Sequence, residues 1–171
     1  MNNFDFHNLL FSTEFETLCM HILEIRENPL KFRTYRRGRD GGIDIKCTNT
    51  KQKIIGQCKL YSPQNERGLI SNLKKELLKC KKLKPDRYIL CINIHLTVSL
   101  SKEILELFKG YIICEEDIID GRKLDGYLEK PEYDYLFKMY SKLLVPNLKT
   151  VEIALEKIIN TRSALSREIY F

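Results

Sequence analysis

The chain has no apolar run long enough to cross a bilayer. Met1-Asn2-Asn3-Phe4-Asp5 does not read as a signal peptide. These absences lead to the expectation of a cytoplasmic protein with no membrane partner. The 6 cysteines show no CxxC spacing. Cys19, Cys47, Cys58, Cys80, Cys91 and Cys114 are scattered, mostly inside apolar periodic segments, which suits reduced core thiols better than a disulfide framework. His7, His21 and His95 have no ligand spacing with them, so no zinc site is expected. Nor is a nucleophilic triad signalled. Cys19 and His21 share a helix but point about 200° apart on the helical repeat. The chain has no internal repeat, no long low-complexity tract and no Gly-rich phosphate loop, so it is not expected to bind ATP.

What remains is a chain of 171 residues, 43% hydrophobic, which suits one domain with a sizeable core and a small helical extension. Its net charge of +6 and pI near 8.9 suit a polyanionic partner. Residues 12–27 read as a helix, ended by Asn28-Pro29. Residues 30–36 read as a strand. Residues 44–47 and 53–60 read as two strands around the polar turn 48–52. Residues 66–83 form a long amphipathic pattern with Leu69, Ile70, Leu73, Leu77 and Cys80 on its apolar side. An apolar strand is expected over 87–94, a helix over 99–109 and a short last strand over 111–114. Beyond Arg122 the pattern turns helical, over 123–128, 133–143 and 149–160. The expected architecture is an α/β sandwich, a mixed sheet flanked by helices, over residues 1–120. Residues 121–171 form a helical C-terminal extension.

The most informative stretch is Gly38-Arg39-Asp40-Gly41-Gly42-Ile43-Asp44-Ile45, followed by Gly56-Gln57-Cys58-Lys59. With the turn centred near Thr50 or Lys51, antiparallel pairing sets Asp44 opposite Gly56 or Gln57. Strand alternation then puts Asp44, Gln57 and Lys59 on one face and Cys58 on the other. A carboxylate and an amide oxygen are hard donors of the kind Mg²⁺ takes. Such an ion acidifies a water and draws charge off a phosphate. A lysine beside it can orient or deprotonate that water, or stabilise developing negative charge. Gly41 and Gly42 permit the sharp turn before the strand. Periodicity alone favours a plain surface hairpin, because Asp-Gly-Gly is ordinary turn punctuation.

Gly38, Asp40, Gly41, Gly42, Ile43 and Asp44, then Gln57 and Lys59, resemble the signature of the PD-(D/E)xK nuclease superfamily in its Mrr-like restriction endonuclease branch. Phe15-Glu16 is similar to that branch's first-helix pair, and the wider pattern resembles the nuclease domain at the N-terminus of bacterial antiviral STAND NTPases. The resemblance spans roughly residues 14–143. It implies a restriction-endonuclease-like fold with Mg²⁺ as cofactor, Mn²⁺ as a substitute, and double-stranded DNA as substrate. It implies Asp44 as the main metal ligand, Gln57 as the second, Lys59 as the catalytic lysine, Glu16 as the helix acid near the metal and Asp40 in support. It further implies an antiphage effector activated by oligomerisation, with an NTPase module following in a longer parent chain. Gln57 departs from the acid of the wider superfamily and removes one negative charge from the metal site.

Two alternatives stay open. Thr13-Glu14-Phe15-Glu16 fits a capping box in which Glu16 bonds back to the Thr13 backbone. The whole chain also fits a catalytically silent nucleic-acid-binding or assembly module of the same fold. For DNA, Lys31, Arg36, Arg37 and Arg39 are the candidate phosphate contacts, with Arg33, Tyr35 and Tyr61 nearby. The lysines at 74, 75, 79, 81, 82 and 84 read as a solvated helix face.

Overall fold

A computed structural model describes residues 4–35, 43–62 and 68–140, leaving side chains 137 and 138 aside. Two helices come first, α1 (Phe6–Leu9) and α2 (Ser12–Arg26). The strands β1 (Phe32–Thr34), β2 (Ile45–Cys47) and β3 (Ile54–Lys59) follow and pair antiparallel in that order. Helix α3 (Leu69–Leu83) crosses to β4 (Arg87–Ile92), and α4 (Val98–Leu107) crosses to β5 (Ile118–Ile119). β3, β4 and β5 pair in parallel, which completes a five-stranded mixed sheet in the order β1-β2-β3-β4-β5. Helices α5 (Gly121–Leu128) and α6 (Asp134–Met139) end the described chain.

Side chains alternate across the sheet, and each face buries its own core. Cys58, Ile89, Cys91 and Ile119 pack with Leu18, Cys19, Ile22 and Leu23 of α2 and with Leu124, Leu128 and Leu136 of α5 and α6. Ile55, Tyr88, Leu90, Ile92 and Ile118 pack with Leu69, Leu73 and Cys80 of α3 and with Ile104 and Phe108 near α4. The molecule is therefore an α/β arrangement with helices on both faces of one sheet.

Most expected elements are present, with shifted ends. The short α1 was not anticipated. The expected strand over 30–36 is paired only over Phe32–Thr34, and the expected helix over 12–27 ends at Arg26. The last strand is Ile118–Ile119, not 111–114. Tyr111 does offer its carbonyl to the Tyr88 N–H at 2.8 Å, but Ile112 folds back to the Phe108 carbonyl at 3.1 Å. Ile118 and Ile119 are both buried, whereas Ile113 is exposed, so burial on both faces selects the later pair. The 149–160 helix and the end of 133–143 lie outside the described residues.

The start of α2 corrects the capping expectation. The helix begins at Ser12, so the acid three residues after its cap is Glu14. Glu14 Oε2 accepts the Phe11 N–H at 2.8 Å. Thr13 lies inside the helix, where its carbonyl accepts the Thr17 hydroxyl. Glu14 rather than Glu16 thus closes the capping box, and Glu16 is buried.

Candidate active site

Ile45 is the register partner of Gly56. One step outward, Asp44 faces Gln57, and its Oδ2 accepts both the Gln57 side-chain amide and the Cys58 backbone N–H, the latter at 2.9 Å. Gly56 leaves room for this close pairing. A Cβ there would stand 3.1 Å from Ile45 Cβ and 3.5 Å from Leu23 Cδ1. Gln57 is buried, and its Oε1 lies 3.5 Å from the Tyr88 hydroxyl, in the range of a weak hydrogen bond. The amide therefore turns its nitrogen, not its oxygen, to the carboxylate. That orientation follows from the hydrogen-bond pattern, since an amide oxygen there would repel Asp44.

Lys59 shares this side of β3 and reaches across to α3. Its Nζ lies 2.9 Å from Glu76 Oε1, and Lys79 Nζ lies 3.0 Å from the same oxygen. Glu76 is buried, and its Oε2 has no hydrogen-bond partner. Burial alone would raise the Glu76 carboxyl, but the hydrogen bonds and charges of Lys59 and Lys79 hold it below the ordinary value. Tyr61 is buried beside this acid, and burial together with the Glu76 charge pushes its hydroxyl up to about 12. Its ring is covered, so it presents no face on which a base could stack.

Glu76 is the site residue that reading the sequence missed. The signal was there, because the buried positions of α3 run Leu69, Leu73, Glu76, Cys80. An acid thus occupies a place in an apolar stripe of period 3.6.

Glu16 reaches the same end of the sheet from the other face. Leu23 packs near Gly56, and Cys19 Sγ lies within 4.8 Å of Cys58 Sγ. Helix α2 therefore runs opposite to β3, and Glu16, one turn before Cys19, is directed toward the Lys59 end. Lys31 lies at the other end of β2, where its carbonyl accepts the Thr48 N–H at 2.8 Å. Four residues separate Thr48 from Asp44, which is roughly 13 Å of strand. The guanidinium of Arg33 sits 5.6 Å over the Tyr35 ring. Arg36, Arg37, Arg39 and Asp40 fall outside the described residues.

The arrangement brings together Asp44, Gln57 and Lys59 and adds Glu76. Asp44 and Gln57 offer hard oxygen donors that fit Mg²⁺ once the Gln57 amide turns its Oε1 outward. No helix among the described residues is long and apolar enough to cross a membrane.

No protein-family model matches the chain. It is 26% identical over 149 residues to a Sinorhizobium fredii (strain NBRC 101917 / NGR234) protein named "Uncharacterized protein y4cD". That match covers 87% of this chain and 23% of the relative, so the chain spans under a quarter of the relative's length.

Proposed function

We propose that the chain is a Mg²⁺-dependent DNA endonuclease module with a restriction-endonuclease-like fold, of the Mrr-like PD-(D/E)xK kind. The observation that carries this reading is the register that sets Asp44 against Gln57, with Lys59 two residues on along the same face. A mixed sheet with helices on both faces is consistent with it. Asp44 and Gln57 would hold the metal, which supplies polarisation of the phosphate and a more acidic water. Lys59 carries the positive charge that steadies the extra negative charge formed as the phosphodiester is attacked. Glu76 holds that ammonium in place from α3. Glu16 directs a further carboxylate to the same end of the sheet. The resemblance to the nuclease domains of antiviral STAND NTPases supports reading the module as an antiphage effector, active when clustered, with double-stranded DNA as substrate. A relative far longer than this chain is in keeping with a module of a larger protein.

The test is cleavage of supercoiled and linear duplex DNA in Mg²⁺, Mn²⁺ or EDTA, by the chain alone and fused to a dimerising coiled coil. Nicking that needs the metal and disappears in Lys59→Ala is expected. Salt-sensitive DNA binding without cleavage in either form would instead identify a silent binding module.

A further inference from the structure

Behind the hairpin lies a second constellation, which no spacing in the sequence signalled. Cys19 of α2, Cys58 of β3 and Cys91 of β4 converge until their three Sγ atoms all lie within 4.8 Å of one another. Cys58 and Cys91 are register partners on adjacent parallel strands, and Cys19 reaches down from the helix above them. All three are buried, and only Cys58 keeps a trace of exposure, at 7%. Their surroundings are Phe, Leu, Ile and Tyr side chains of one core.

We infer that Cys19, Cys58 and Cys91 form a three-sulfur site for a soft monovalent cation, Cu(I) in chemical class, with Ag(I) as its redox-inert equivalent. Soft thiolate sulfur selects soft ions over the hard Mg²⁺ of the neighbouring hairpin. A structural zinc site takes four ligands, and no fourth His, Cys, Asp or Glu joins the group among the described residues. A d¹⁰ monovalent ion accepts two or three sulfurs, so the trio is complete for it. The donors also come from one helix and two interior strands, which hold them close together.

Charge balance is met locally. Two thiols release their protons to solvent as their sulfurs bind the ion, and the third coordinates as a neutral thiol. One net negative charge then remains, and the positive field of Arg26 reaches Cys91. No oxidation or reduction is involved.

The site stands apart from the nuclease reading. Anaerobic titration of reduced protein with Ag(I), or with Cu(I) against a competing chelator, tests it. Native mass spectrometry should find one ion per chain, with near-ultraviolet sulfur-to-metal absorption. Affinity should fall on the order of 100-fold or more in Cys91→Ala, and should persist in Cys47→Ser and Cys114→Ser. Core variants can fail to fold, so X-ray absorption on the wild-type complex is the second readout. It should show a shell of three sulfurs and no nitrogen. Binding that is lost in Cys114→Ser, a shell containing nitrogen, or no ion held against the chelator would overturn the inference.

Discussion

Two charged clusters stand at opposite ends of the parallel strands, and they are built on different principles. At the start of β4, the Arg87 guanidinium forks onto Glu27 at 2.8 and 3.0 Å and onto Asp117 at 2.6 and 2.9 Å. Asp117 also accepts the Ile113 N–H, and Arg26 adds a contact to Glu27 at 2.6 Å. Burial would lower the Arg87 guanidinium, but both carboxylates hold it above its ordinary value. This cluster ties the end of α2 to β4 and to the turn before β5, and its planar donors meet planar acceptors. At the other end, Lys59 and Lys79 crowd one oxygen of Glu76 while Oε2 stays buried without a hydrogen bond. A neutral amide stands beside Asp44. Planar forks fasten the first cluster, though Nε and Nη2 of Arg26 beside it make no hydrogen bond, whereas two ammonium groups share one carboxylate oxygen in the second.

Substitutions should separate the two ends. Asp44→Asn should cut metal-dependent cleavage by on the order of 10³-fold while leaving the unfolding midpoint nearly unchanged, because an amide oxygen can still accept the Cys58 N–H. Arg87→Met should do the reverse. It strands the fully buried Asp117 carboxylate and should cost about 3–5 kcal/mol in urea unfolding, with cleavage per folded molecule retained. Were Arg87→Met to abolish cleavage in protein shown to be folded, the division between fastening and site would fail.

A smaller effect is expected between these extremes. Glu76→Gln keeps the shape of the side chain but removes the charge that anchors Lys59. Cleavage should fall about tenfold at saturating DNA, with little change in KM and partial recovery in Glu76→Asp. An unchanged rate would leave Glu76 as packing alone.

The smallest difference should appear in acid. Burial opposes ionisation of Glu27 and Glu76, but their cationic partners hold both folded pKa values below the ordinary value. Their contribution to stability is therefore present above the unfolded carboxylate pKa, about 4.3, and is lost as pH falls through the folded values. Asp125 runs the other way, since burial raises it despite the Phe4 N–H and His95. Stability measured from pH 6 to 3 should decline less steeply in Glu76→Gln than in the wild type. An equal or steeper decline would mean that Glu76 is not held ionised by its lysines.

Much of this was legible in the sequence where local rules act. A turn centre near Thr50 or Lys51 narrowed the residue opposite Asp44 to Gly56 or Gln57, and the observed Ile45–Gly56 pair selects Gln57. The amphipathic stripe of α3 was readable from Leu69, Leu73 and Cys80. Other features were not, and most of them depend on a distant partner. Residues 111–114 looked like the last strand until burial on both faces was known for Ile118 and Ile119. The capping acid is Glu14 rather than Glu16 because the N-cap is Phe11 rather than Thr13, although the helix starts at Ser12 as expected. The three thiols and the Lys59–Glu76 pair join elements whose docking no local pattern encodes.

The most direct measurement takes cleavage rate and unfolding midpoint together on one preparation of Asp44→Asn, beside wild type, with Mg²⁺ and with EDTA. Metal-dependent cleavage by wild type, lost in the variant at an unchanged midpoint, is the result the account predicts. Cleavage by the variant at the wild-type rate would contradict it.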